Sequence, residues 1–352
     1  MQHHKKVISR RIIMKTRTKS LYRYAAFTVP LLTMLSAPAR ADYQIQIISP
    51  PDAVSAQAFG LNNAGIVTGV ADDGTMVRSF TYDLKSGEYN YIEAAGEFSA
   101  LEISNTGVIV GDLGDMCAIR DAKGDISTFP PPSNAPDSFC QARGVNSMGR
   151  VSGFEVAADG TWTGFIYDTK QATYETFLPS PTHIPVGLDE RGRLAGNVFL
   201  FPDEAYPGSP FGNYGYIRRT DGTFKFFTIE PVSGLISTRA RSITESGTIA
   251  GWYLDLDDTG IGFVARSFII PDTGDVEYEQ ITLTDDQLLY ASPCDPNVPA
   301  APGPGYQLLT DVFAAQIRHD GVVVGSCQDT WVDPATGDSV SYLNGLLATP
   351  VK

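Results

Sequence analysis

One twelve-residue pattern recurs six times in this chain, and no other feature restricts the fold as tightly. The copies begin at Ala58, Ala100, Ala142, Pro185, Ala240 and Ala314. Each holds two glycines, from Gly65/Gly69, Gly107/Gly111 and Gly149/Gly153 to Gly192/Gly196, Gly247/Gly251 and Gly321/Gly325. An aliphatic residue sits between each pair, as Val67, Ile109, Val151, Leu194, Ile249 or Val323. Asn62, Ser104, Asn146, Asp189 and Thr244 precede the first glycine by three residues. A short side-chain acceptor there supports a type I turn, with glycine taking the left-handed position that follows. Each copy therefore reads as strand, tight turn, strand, and only Arg318 in the sixth departs from the turn rule.

A second hairpin follows most copies. Phe165 to Phe177 alternates apolar and polar residues on both sides of a turn, and Phe80 to Ile92, Ala118 to Phe129, Tyr216 to Phe227 and Phe268 to Ile281 do the same. Four strands per unit, with the first copies 42, 42 and 43 residues apart, are the pattern of a β-propeller blade. The last unit has no fourth strand of its own, whereas Tyr43 to Pro50, ahead of the first copy, has the pattern of one. The expected fold is an all-β, six-bladed β-propeller over residues 42–352, its ring closed by the N-terminal strand pairing with the last blade.

With alanine, glycine, an aliphatic residue and asparagine followed by glycine and a valine-glycine pair, Ala58 to Gly69 and Ala142 to Gly153 resemble the HAF family of extracellular repeat proteins. The ending Leu346 to Val351 is similar too. The family's name tripeptide is replaced by Arg78-Ser79-Phe80, Thr163-Gly164-Phe165, Tyr214-Gly215-Tyr216 and Arg266-Ser267-Phe268. The resemblance implies repeat architecture and export, and it carries no catalytic residues.

Residues 1–41 read as a signal peptide: a basic stretch, an apolar run from Tyr24 to Leu35, and Ala39-Arg40-Ala41 before the cleavage point. Ser9 to Lys15 is similar to a twin-arginine motif, but a spacer parts it from the apolar run, and a Sec leader is the expectation. Removing its nine Lys/Arg and no acids from totals of 26 and 40 leaves a formal charge of −23. So acidic a surface argues against nucleic acid and anionic membranes and for cationic partners or metal ions. No second segment is long enough to span a bilayer, so a periplasmic or extracellular protein is expected. Four cysteines in an exported chain imply two disulfides, of which the local pairings Cys117–Cys140 and Cys294–Cys327 are favoured.

Strand alternation sorts the connections by end. First-to-second (A–B) and third-to-fourth (C–D) turns fall at one end of a blade, and B–C and D–A loops at the other. The long insertions Asn197 to Tyr214, Ser326 to Asn344 and Asp285 to Val312 all belong to the second end. They carry Phe201, Asp203, Glu204, Tyr206, Tyr214, Asp329 and Trp331, with His183 on a D–A connection. Aromatic rings beside carboxylates can take a protein or glycan partner, and paired carboxylates such as Asp203, Glu204 and Asp329 could hydrolyse a glycoside. Alternatively the rings form small cores beneath their loops and the acids are solvated. Asp255, Asp257 and Thr259 have the spacing of a calcium loop without its terminal glutamate; an acidic turn is the alternative. No nucleophile elbow, zinc-helix motif or phosphate loop is present. The expectation is a non-catalytic binding or scaffold protein working through its loop-rich end, with a glycan-active hydrolase as the competing reading.

Overall fold

A computed structural model describes residues 43–177, 183–202, 204, 210–229, 236–255, 258–265, 278–281, 287–289 and 293–351. The expected leader lies outside them. Among the described residues the protein is all-β, and no helix is long and apolar enough to cross a membrane.

After β1 (Tyr43–Ile47), unit 1 comprises β2 (Ser55–Leu61), β3 (Ile66–Asp72), β4 (Val77–Asp83) and β5 (Glu88–Tyr91). Unit 2 comprises β6 (Phe98–Ile103), β7 (Ile109–Leu113), β8 (Met116–Arg120) and β9 (Ile126–Phe129), and unit 3 β10 (Phe139–Val145), β11 (Arg150–Val156), β12 (Trp162–Asp168) and β13 (Thr173–Phe177). Each is a four-stranded antiparallel meander in chain order, the repeating element of a β-propeller.

Unit 4 contains β14 (His183–Leu188), β15 (Leu194–Leu200), β16 (Gly212–Arg218) and β17 (Phe224–Ile229). Unit 5 contains β18 (Ile236–Ile243), β19 (Ile249–Leu254), β20 (Gly260–Ala265) and the short β22 (Leu288–Leu289) on β20. Of the hairpin expected from Phe268 to Ile281, residues 268–277 lie outside the described set, and β21 (Tyr278–Ile281) pairs in parallel with β17 of unit 4. A second parallel bridge, Gly212 with Ile236, joins units 4 and 5 into one nine-stranded sheet.

Unit 6 is built from β23 (Gln307–Ile317), β24 (Val323–Val332) and β25 (Ser339–Pro350), and β1 pairs with β25, Tyr43 opposite Pro350 through Ile47 opposite Leu346. The expected loop from Ser326 to Asn344 is largely a hairpin of long strands, turning at Asp333 to Asp338. Thr330, Trp331 and Val332 favour extended backbone, and this stretch lengthens the ladder rather than leaving it.

The signature's columns each have a physical reason. All six first glycines have φ between +83° and +88°, which only glycine adopts without strain. In five units the preceding turn residue accepts the N–H four residues on, with Oδ1 of Asn62, Asn146 and Asp189 and Oγ or Oγ1 of Ser104 and Thr244 at 2.7–3.1 Å. Asp320 takes that part in unit 6, accepting from Val322 at 3.3 Å. The second glycine lies against the opposing strand, where a Cβ would run into the carbonyl oxygen of Gln57, Ser99, Gln141, Ile184, Arg239 or Phe313. Beside that contact each first strand bulges, leaving Phe59, Leu101, Arg143, Val186, Arg241 and Ala315 unpaired in the ladder.

Apolar side chains fill the spaces between consecutive sheets. Val110, Cys117 and Phe129 of unit 2 meet Ala142, Val151 and Phe165 of unit 3, and Ala195 and Phe227 of unit 4 meet Ile249 and Phe263 of unit 5. Ile48 joins Ala58 and Phe80 of unit 1 to Val324 and Leu347 of unit 6. Both expected disulfides are present, Cys117–Cys140 linking units 2 and 3 and Cys294–Cys327 tying the connection into unit 6 to β24.

Gly153→Ala should cost about 3 kcal/mol of unfolding free energy through the Gln141 carbonyl clash. Gly160→Ala, with open space around it and only a left-handed φ to strain, should cost about 1 kcal/mol. Urea unfolding of both variants checks this; equal losses would remove close packing as the reason for the second glycine.

Candidate functional site

Strand direction gives the sheets a turn end and a loop end, and the two differ in chemistry. At the turn end a cavity of about 50 Å³ is lined by residues from the signature turns, among them Asn63, Asn105, Glu190, Glu245 and His319. They bond to one another. Asn105 Oδ1 accepts from the Asn63 N–H (2.9 Å), Asn105 Nδ2 donates to Glu190 (3.2 Å), and His319 Nδ1 lies 2.9 Å from Asn63 Oδ1. Glu190 also accepts from Ser147, while Arg193 donates to the carbonyls of Thr244 and Glu245. This is a self-satisfied polar seam, consistent with the repeated turn to which His319 belongs.

The loop end carries the apolar exposure. Of nine exposed large apolar side chains among the described residues, seven are here: Val54, Met76, Val77, Phe201, Phe211, Leu309 and Val340. Met148 and Val351 belong to the turn end. Phe199, Phe201 and Phe211 stack edge-to-face or tilted at 4.6–6.0 Å, so this loop carries its own aromatic cluster with Phe201 still 48% exposed.

The candidate residues of this end separate into distinct roles. Phe201 and Glu204 are exposed, and Glu204 Oε2 accepts from the Phe201 N–H at 2.6 Å. Trp331 is partly exposed and donates from Nε1 to the Pro299 carbonyl at 2.9 Å. Asp203 and Tyr206 lie outside the described residues. Tyr214 is wholly buried, its hydroxyl donating to the Pro210 carbonyl at 2.7 Å. Asp329 is also wholly buried, accepting from Cys294 N–H (3.1 Å), Asp295 N–H (3.1 Å) and Thr310 Oγ1 (2.7 Å). It latches the incoming connection onto β24 beside the disulfide, so it is not presented to a ligand. The alternation of β24 puts it on the inward side, which a loop reading could not show.

Asp255 Oδ1 accepts from the Thr259 N–H at 2.9 Å, closing a turn in which Asp258 has a left-handed φ of 59°. Asp257 lies outside the described residues. Among the described residues the one group of three ligand atoms close enough for an ion is Cys294, Cys327 and Asp329, whose two sulfurs are joined to each other.

His183 is not a loop residue. It opens β14, is 0% exposed, and packs edge-on against Tyr216 at 4.4 Å, with Phe177 and Phe224 at 5.1 and 5.4 Å. Neither ring nitrogen nor the Tyr216 hydroxyl has a hydrogen-bond partner. Arg218 caps this cage, ion-paired to Glu175 and 5.1 Å from the Phe177 ring. Burial, reinforced by the Arg218 charge, holds the imidazole neutral with a pKa of about 3. The unfolded chain takes a proton near pH 6.5 and the folded one does not, so stability falls as pH drops below 6.5 and continues to fall towards 3. Against a His183→Leu variant, the parent should lose about 1.4 kcal/mol more per pH unit between pH 6 and 4. Parallel slopes in denaturant titrations would show that this imidazole is not held neutral.

No family model matches the sequence, and no curated relative matches it either. Among solved structures the chain is similar to a streptogramin B lyase at 12% identity and a TM-score of 0.41, covering 89% of this chain and 99% of that one. A luciferin-regenerating enzyme gives 12% and 0.49 over 88% and 96%. A gluconolactonase from Xanthomonas campestris gives 10% and 0.45 over 88% and 90%. Likeness at this level transfers no residue's role to the present chain.

Proposed function

We propose that this is an exported, non-catalytic six-bladed β-propeller of HAF-like repeat type, ring-closed through β1, that binds a partner with its loop end. Six signature hairpins and the packing of unit 1 on unit 6 around Ile48 support the closed ring. The leader pattern of residues 1–41 and two disulfides support export. The observation that carries the binding reading is the segregation of exposed apolar side chains to the loop end. A rigid scaffold of short turns holding apolar loops is suited to recognition. The hydrolase alternative loses support with Asp329 committed to backbone amides and a hydroxyl.

A photo-reactive residue in place of Leu309 or Phe201 should yield discrete cross-linked adducts in the exported fraction of the producing cell, and one in place of Met148 should not. Adducts from Met148 alone, or turnover on a polysaccharide panel that Glu204→Gln abolishes, would overturn the proposal. For closure, Ile48→Ala should cost about 3 kcal/mol in thermal or urea unfolding, because the cavity would open between the first and last units. A negligible loss would count against a closed ring.

A further inference from the structure

The second column of the repeated signature is filled by Phe59, Leu101, Arg143, Val186, Arg241 and Ala315. It is the column that every bulge leaves out of the ladder, on the first strand of each unit. Two of its members are arginines, and Arg239 stands two residues before one of them on β18. All three are only partly exposed. Among the described residues none of them forms an ion pair, and the Nε atoms of Arg143 and Arg239 are buried with no hydrogen-bond partner. Arg239 lies 4.6 Å over the Trp252 ring, which meets Phe313 edge-on at 5.0 Å.

Arg78, Arg150, Arg193, Arg218 and Arg318 each hold a carboxylate in a chain with 40 acidic residues. Of the three without an ion pair, Arg241 lies within the field of the other two. Burial, together with the charges of Arg143 and Arg239, lowers Arg241 to about 9. Arg143 is lowered by burial to about 10, with Asp112 opposing. Val145 and Ile243, two residues beyond Arg143 and Arg241 on β10 and β18, line the same cavity, so the first strands of units 3 and 5 converge on one space at the axis of the proposed ring. Half-buried cations that repel one another are unfavourable alone and become favourable around a group with several anionic oxygens.

We propose that Arg143, Arg239 and Arg241 form a binding site on this axis for a small oxyanion ligand bearing a phosphate, a sulfate or several carboxylates. Guanidinium forks match such oxygens bidentately, and the Trp252 and Phe313 rings wall one side. The inference rests on the ring reading, because the ring sets units 3 and 5 facing each other.

Calorimetric titration of the mature protein at low salt with inorganic phosphate, inorganic sulfate, citrate and an oligogalacturonate tests the site and separates the sources. Saturable binding of at least one probe is expected, weakening with added salt. Arg241→Met and Arg143→Met should each weaken it about tenfold to a hundredfold, while Arg150→Met, on the Glu175 pair, should bind like the parent. Without anion, Arg241→Met should melt at or above the parent temperature, since a repelled charge has gone. A purely structural arginine would instead lower it. Absence of saturable binding by all four probes, or unchanged affinity in both methionine variants, would overturn the site. Should a methionine variant fail to fold, Arg241→Lys keeps the charge without the fork and is expected to bind more weakly; parent-like affinity there would also overturn it. Loss of loop-end cross-linking with anion binding intact would strike only the partner reading, and an Ile48→Ala loss with no anion binding would strike only this one.

Discussion

The contact on which everything else depends is the approach of the first two strands of each unit at the second glycine. There the backbone of one strand meets a carbonyl of the other with no room for a Cβ. That closeness is compatible with a regular ladder only if one residue is pushed out, and the bulge beside it does so in all six hairpins. The tight turn, capped by a short side-chain acceptor, fixes where the bulge falls. Because the first strands lie against those of neighbouring units, as where Gly144 backs onto Val186 and Gly187 onto Ser242, a side chain added there would push neighbouring sheets apart. The residue released by the bulge is freed from these packing demands. Its identity therefore varies while its neighbours repeat.

The two ends of the sheets follow from the same geometry. At the turn end, short loops leave little surface, and turn side chains satisfy one another from unit to unit, as Asn62 Nδ2 does on the Ser104 carbonyl and Asn146 Nδ2 on that of Asp189. At the loop end, the chain has freedom to add residues, and unit 6 uses it to extend its strands. The buried Asp329 carboxylate and the Cys294–Cys327 bridge hold the long connection against that extension. A carboxylate so fully engaged fixes a loop, while the Phe201, Leu309 and Val340 side chains of the same end stay exposed.

Charge is distributed with equal economy. Arg78, Arg150, Arg193, Arg218 and Arg318 meet acids, and in short Asx-type turns hydrogen bonds accepted from hydroxyls and backbone amides draw Asp73, Asp121, Asp159 and Asp221 below their ordinary range. His183 is the opposite case, an imidazole kept neutral by aromatic walls. Arg143, Arg239 and Arg241 are partly buried cations with no ion pair among the described residues, in a molecule whose overall sign is negative.

The repeat, the four-strand period, the strand at residues 43–47 and both cysteine pairings were legible in the sequence, because each depends on local rules: turn chemistry, two-residue alternation and loop length. Phe201 as an exposed loop aromatic was legible for the same reason. His183 and Asp329 were not. Both look like loop residues until strand register decides which way their side chains face, and a one-residue change of register reverses that. Nor could the sequence show that Asn63, Asn105 and His319 meet in one polar seam. Sequence by itself determined the signature hairpin and its six copies. Only the tertiary structure decided what stands opposite what, since contacts between units join residues that no local pattern relates.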